Sequence, residues 1–156
     1  MVGIGNDLHR LEKGYPLIIG GIEIESEIGC VAHSDGDVLA HALIDSLLGA
    51  AALGDIGEWF PDTDPQYKGI SSIILLQKVV AELSNQGYSI SNIDAIIMLQ
   101  TPKLSPYKEM IKYNIAEICS LPAERVNIKA KTGEKIGIIG KSEGIEALCI
   151  VEIIND

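Results

Sequence analysis

Residues 33 to 41, His-Ser-Asp-Gly-Asp-Val-Leu-Ala-His, run without a break into a stretch rich in Ala, Leu and Ile that continues to Leu53. A polar opening followed by an apolar run of this length predicts a helix, with Ser34 or Asp35 as N-cap and Gly54 as its stop. It reads as the longest helix of the chain, and the small residues within LLGAAAL would let a neighbouring backbone approach closely. His41 lies four residues after Asp37 and four before Asp45, so the three are expected on one helix face. One face cannot complete a zinc site, and the other ligands must come from elsewhere. Asp7-Leu8-His9 is the candidate source. In a strand, residues two apart point to the same side, so Asp7 and His9 would converge while Leu8 faces away. Asp7, His9 and His41 would then give three ligands and leave a fourth position free, which is the pattern of a catalytic metal site. The plainer alternative is a helix cap with a surface histidine.

The rest of the chain divides into periodic segments. Residues 2 to 9 predict a first strand and 16 to 24 a hairpin turning at Gly20-Gly21. An amphipathic helix is expected over 70–87, a central strand over 89–100, a proline turn over 101–107 and a third helix over 108–120, ended by Leu121-Pro122. A strand over 126–133, a glycine-rich loop or short helix over 133–144 and a last strand over 145–154 complete the order. This predicts one α+β domain spanning 1–156: a mixed four-stranded sheet covered by helices on one face, with an Ile- and Val-rich face left bare. Such a face predicts self-association. The segment 55–69, rich in Asp, Pro and Gly, is longer than an idle connection and is expected to be functional. It holds the only Trp and the only Phe, Trp59 and Phe60, so the core must be built from Ile, Leu, Val and Ala, and the loop must have a packing role of its own.

Charge and cysteine usage limit the function classes. A formal net charge of −10 argues against nucleic-acid binding, which needs a surplus of Lys and Arg on one face. No apolar run approaches the roughly 18 residues of a membrane span, and the charged residues among the first fifteen do not make a signal peptide. Cys30, Cys119 and Cys149 fit neither a disulfide framework nor a CxxC site, and read as reduced core thiols of a cytoplasmic protein.

A second cluster, Lys129-Ala130-Lys131-Thr132-Gly133-Glu134-Lys135, leaves a strand into a glycine-containing turn. A hydroxyl, freed backbone amides and lysines suit a phosphate group. Glu134 would repel that phosphate unless a divalent cation lay between them, which makes it a candidate Mg²⁺ ligand. The alternative is a solvated charged turn. Lys103 after Pro102 is equally open, either holding a ligand or facing water.

Taken together, GIGNDLHRL, AHSDGDVLAHALIDSLLGAAALGDIGEWFPDTDPQYKG, QTPKLSPY and VNIKAKTGEKIGIIGKSEGIEA resemble the 2-C-methyl-D-erythritol 2,4-cyclodiphosphate synthase family of non-mevalonate isoprenoid biosynthesis. The likeness covers essentially the whole chain. It implies a homotrimer whose sheets pack around a threefold axis, with active sites between subunits, and a lyase that closes a cyclic diphosphate and expels CMP from a cytidine diphosphate substrate. It implies zinc or another transition metal at Asp7, His9 and His41, Mg²⁺ or Mn²⁺ at Glu134, and His33 and Thr132 as transition-state donors. Ser34 would share the phosphate contact, and Asp55, Gly57, Phe60, Asp62 and Asp64 would hold the erythritol hydroxyls. Leu99, Gln100, Pro102, Lys103, Leu104 and Ser105 would form the cytosine pocket, continued by Ala130 and Lys131 of the neighbouring chain.

Some positions depart from the family pattern. Lys131 and Gly133 stand where many relatives carry threonines. Asn6 and Ile138 stand in place of phenylalanines lining an apolar cavity along the threefold axis, and Lys141 in place of an arginine at its mouth. Lysine keeps the charge but loses the bidentate fork, so isoprenoid diphosphate binding there is not carried over. The end of the chain at Asp156 reads as the stand-alone form, without a fused cytidylyltransferase. Two further readings use the same residues: a metal-dependent nucleotide phosphohydrolase and a non-catalytic trimeric ligand-binding protein.

Overall fold

Glycines alternate with apolar residues at the start of the first strand, β1 (Val2–Lys13), and this fixes how the main helix docks. Gly3 and Gly5 turn inward under α1 (Val38–Ala50); a Cβ on Gly3 would stand 1.9 Å from the Ser46 carbonyl oxygen, and one on Gly5 2.0 Å from that of Ala42. Ala42, Ser46 and Ala50, spaced four apart, present the matching row of small residues. The close approach is therefore made against β1, but mainly by Ala42 and Ser46, upstream of the expected LLGAAAL stretch, to which only Ala50 of this row belongs. The computed structural model describes residues 1–155; Asp156, the expected end of the stand-alone form, lies outside them.

The helix begins and ends differently from expectation. Its N-cap is Asp37, whose carboxylate accepts from the Ala40 amide at 3.0 Å, rather than Ser34 or Asp35. Those two side chains are engaged elsewhere: Ser34 accepts from Gly36 N, and Asp35 reaches Ser72. The helix stops at Ala50 rather than running to Gly54, because Ala52 turns left-handed at φ 57° and reverses the chain.

The expected hairpin is formed by β2 (Leu17–Ile19) and β3 (Ile22–Ile24), with Gly20 and Gly21 at φ 58° and 77°. It makes a small sheet of its own. The main sheet has five strands rather than four. The extra one is β4 (Ile28–Val31), too short to show a period, which pairs with Arg10 to Lys13 and so extends β1 past residue 9. With β5 (Tyr88–Met98), β6 (Val126–Lys131) and β7 (Gly144–Asn155), the strand order is β4-β1-β7-β5-β6. The sheet is mixed, with β5 and β6 parallel and the other pairs antiparallel.

Alternation along the inner strands separates the two faces. Ile93, Ala95 and Ile97 of β5 and Ile145, Ala147, Cys149, Val151 and Ile153 of β7 are buried under the helices. α1 lies over β1 and β7, α3 (Ser72–Asn85) touches α1 and β5, and α4 (Lys108–Ile118) lies on β6. The opposite face carries Val2, Ile4, Leu8, Ile150 and Ile154, each between 42% and 68% exposed. The bare apolar face is thus present.

Segment 55–69 has the expected packing role. It contains α2 (Ile56–Trp59) and a 3₁₀ turn at Pro65–Tyr67. Phe60 is buried between the rings of Trp59 and Tyr67, both met edge-on, while the Trp59 indole donates to the Leu53 carbonyl at 2.9 Å. The glycine-rich stretch before β7 holds a one-turn helix, α5 (Gly137–Gly140). Cys30, Cys119 and Cys149 are free and buried.

Candidate active site

Asp7 and His9 project to the helix side of β1 while Leu8 is half exposed on the other, and α1 brings His41 over them from its first turn. Asp7 Oδ2 lies 2.8 Å from His9 Nε2 and 3.1 Å from His41 Nδ1, and those two nitrogens are 3.1 Å apart. Three ligands at tetrahedral positions about 2.0–2.1 Å from one zinc ion would form a triangle with sides of about 3.3 Å. The donor set and its spacing therefore fit one metal ion, as the residue types suggested. Burial alone would push the Asp7 carboxyl up. Hydrogen bonds to His41 and His9, with their charges, overcome this and hold it well below the usual carboxylate range. Burial works against a charged His41, yet the hydrogen bond and charge of Asp7, aided by Asp37 and Asp35, raise its pKa.

The other two acids on the expected helix face do not join this group. Asp37, fully buried, precedes the helix and accepts from the Gly20 and Gly21 amides at 2.8 and 2.7 Å as well as from Ala40. Asp45 accepts from the Ile56 amide at 2.8 Å, so it holds the start of segment 55–69, and burial pushes its pKa up. Equal spacing along the helix did not distinguish a side chain aimed at a metal from one spent on backbone amides.

A cavity of about 360 Å³ opens over the three ligands. Of the expected site residues, His33, Ser34, Gly57, Phe60 and Asp62 also line it. His33 Nε2 is buried with no hydrogen-bond partner among the described residues. A polar atom so placed wants a ligand group. Asp55 and Asp64 are outside the lining; each caps the turn that follows it, accepting from Glu58 N and Gln66 N.

The remaining expected residues lie elsewhere on the chain and none lines this cavity. Leu99 and Leu104 are buried in the core, so only their backbone can meet a ligand, whereas Lys103 and Ser105 are exposed. Pro102 follows a cis peptide bond and lines a second cavity of about 610 Å³ beside Glu25 and Glu27. Ala130 and Lys131 end β6, and Gln100 Oε1 accepts from Lys135 N at 3.3 Å. Thr132 Oγ1 donates to Glu134 Oε1 at 3.0 Å, and Glu134 and Lys135 are successive left-handed residues that turn the exposed backbone. Lys129 pairs with Asp94 at 2.6 Å. Ile138 lies against Leu8 in a third cavity, and Lys141 is exposed.

The YgbB family model matches residues 1–154. The chain belongs to the YgbB family. It is 55% identical over 152 residues, 97% of this chain and 96% of the other, to 2-C-methyl-D-erythritol 2,4-cyclodiphosphate synthase of Alkaliphilus metalliredigens. The fold matches the bifunctional IspDF of Campylobacter jejuni with a TM-score of 0.95 and 43% identity, covering 99% of this chain and 42% of that one. It also matches a CDP-bound 2C-methyl-D-erythritol-2,4-cyclodiphosphate synthase, with a TM-score of 0.92, 36% identity and 99% and 100% of the two chains covered.

One pair of residues in this YgbB-family chain escaped sequence reasoning. Ser72, fully buried at the first turn of α3, places its hydroxyl 2.8 Å from His41 Nε2 and 2.5 Å from Asp35 Oδ1. A serine opening a helix reads as a cap, and no local spacing ties it to a histidine 31 residues earlier. The aspartate of the His-Ser-Asp-Gly-Asp motif that does not cap α1 was the available signal.

Proposed function

We propose that the chain converts 4-diphosphocytidyl-2-C-methyl-D-erythritol 2-phosphate to 2-C-methyl-D-erythritol 2,4-cyclodiphosphate with release of CMP. The observation that carries this reading is the 2.8 to 3.1 Å triangle of Asp7, His9 and His41 atoms beneath a cavity that is also lined by His33, whose buried Nε2 has no partner among the described residues. The names of the relatives support the substrate and product.

When bound, zinc or another transition metal at Asp7, His9 and His41, with Mg²⁺ or Mn²⁺ at Glu134, supplies charge that neutralises the phosphates and polarises the phosphorus under attack. The attacking 2-phosphate oxygen is already anionic near neutral pH, so the chain need not provide a strong base; placing the phosphate against the β-phosphorus supplies most of the acceleration. His33, and Thr132 once its hydroxyl turns from Glu134, donate to phosphate oxygens as charge builds, each worth roughly 3 kcal/mol, and Ser34 shares the contact. Asp55, Gly57 and the loop from Phe60 to Asp64 hold the erythritol hydroxyls. Leu99, Gln100, Pro102, Lys103, Leu104 and Ser105 receive the cytosine, with Ala130 and Lys131 completing the nucleotide site from the adjacent subunit.

The division of these residues into two groups on one chain supports a homotrimer in which each site lies between subunits. The exposed apolar face of β1 and β7 supports sheets packed around the threefold axis. Three buried free thiols suit the cytoplasm. No helix among the described residues is long and apolar enough to cross a membrane. Incubating the zinc-loaded protein and Mg²⁺ with the diphosphocytidyl substrate should give CMP and a cyclic diphosphate by ³¹P NMR. Linear phosphates alone would mark a nucleotide phosphohydrolase, and no turnover a binding protein. Sedimentation of the same sample should give three times the 16.7 kDa chain mass, and a monomer would remove the shared-site reading.

A further inference from the structure

We infer that Ser72 and Asp35 are positioning residues that fix which nitrogen His41 offers to a metal ion. The inference rests on the metal reading of Asp7, His9 and His41. A carboxylate only accepts hydrogen bonds, so the Ser72 hydroxyl, 2.5 Å from Asp35 Oδ1, donates to Asp35. Its one proton is then spent, and at 2.8 Å from His41 Nε2 it can only accept. His41 must therefore carry a proton on Nε2, with Ser34 Oγ as a second acceptor at 3.2 Å. The proton that Nδ1 shares with Asp7 in the metal-free protein is then the one a metal ion would displace, and Nδ1 is the atom that faces Asp7 and His9.

The serine is itself held. Asp35 Oδ2 accepts from the Ser72 amide at 3.1 Å, Asp35 N donates to the Ile70 carbonyl at 3.1 Å, and Gly69 N donates to the His33 carbonyl at 2.8 Å. Residues 33–35 are thus laced to 69–72, so one set of bonds orients the imidazole and anchors the end of the segment that borders the cavity. Partners of this kind set the tautomer and ring orientation of a metal-binding histidine, and losing one typically weakens metal affinity about 10- to 100-fold.

The test titrates Zn²⁺ against a chromogenic chelator in the unsubstituted protein and in Ser72→Ala, Asp35→Asn and Ser72→Thr. The urea midpoint of each metal-free protein and the His41 ring ¹⁵N shifts of the zinc-loaded form are read in parallel. Ser72→Ala should bind Zn²⁺ about 10- to 100-fold more weakly, and Ser72→Thr, which keeps the hydroxyl, should recover most of the loss. Asp35→Asn should fall between them. In the unsubstituted protein the ¹⁵N shifts should place the proton on Nε2. Zinc affinity of Ser72→Ala within about twofold of the unsubstituted protein, or the proton on Nδ1, would overturn the inference. Should Ser72→Ala fail to fold, the ¹⁵N assignment of the unsubstituted protein decides by itself. An unsubstituted protein that binds no Zn²⁺ would instead remove the metal reading on which all of this stands.

Discussion

Asp37 separates two uses of a carboxylate beside a metal site, and its substitution gives opposite results for each. The side chain is fully buried; Oδ1 accepts from Gly20 N and Ala40 N at 2.8 and 3.0 Å, and Oδ2 from Gly21 N at 2.7 Å. Asp37→Asn keeps one oxygen for Gly20 and Ala40 but turns an NH₂ toward the Gly21 amide, leaving a buried donor unpaired at a cost of about 1–3 kcal/mol. Asp37→Ala loses the helix cap, worth about 1 kcal/mol, and both hairpin amides. Burial also pushes the Asp37 pKa up, so part of the loss is recovered when the carboxyl is removed. The net cost for Ala should be about 3–5 kcal/mol, a large share of an ordinary domain's stability. Urea unfolding of the metal-free protein at fixed concentration should show the Asn midpoint about 1 M lower with unchanged slope, while Zn²⁺ affinity stays within about threefold. An Asn variant with an unshifted midpoint and lost zinc would return Asp37 to the metal site and refute the assignment.

Two other perturbations test the frame and the ligands. Gly5→Ala puts a methyl 2.0 Å from the Ala42 carbonyl, where only backbone can give way, and should cost about 3 kcal/mol or more in urea unfolding; a neutral result would mean α1 does not rest rigidly on β1. In the metal-free protein, Asp7 titrates below its unfolded value, so its contribution holds above about pH 4 and is lost as pH falls through the lowered folded value. His41 titrates above its own, so its contribution is full below about pH 6.5 and is lost as pH rises through the raised folded value. Urea midpoints taken from pH 6 to 9 should therefore fall without metal and hold with Zn²⁺, which replaces the His41 proton; a metal-free protein more stable at pH 9 than at pH 6 would contradict this.

What the sequence revealed follows the range over which each signal acts. Period-2 alternation sufficed to bring Asp7 and His9 to one side of β1, and the apolar run after His41 sufficed to place α1, because both depend on neighbours a few residues away. The Gly20-Gly21 turn was legible for the same reason. β4 was not, since four residues carry too little pattern to separate a strand from a loop, and the count of main strands was one short as a result. The exposed face of β1 and β7 could be anticipated only as an apolar face that no helix among the described residues covers.

The polar residues of the motif show why spacing alone misleads. Within nine positions, His33 lines the cavity, Asp35 ties the start of α3, Asp37 ties the hairpin and His41 completes the triangle with Asp7 and His9. Each tie goes to a different part of the chain, from 16 or 17 residues away for the hairpin to 37 for Ser72. A carboxylate has the same helical address whether it binds a metal or backbone amides, and only the position of the unpaired donors decides between them. Those donors are left by Gly20-Gly21, which turns the hairpin, and by the opening of α3. The start of α1, which carries His41 to Asp7 and His9, is therefore held by amide groups whose own sequence signals are those of ordinary turns and caps.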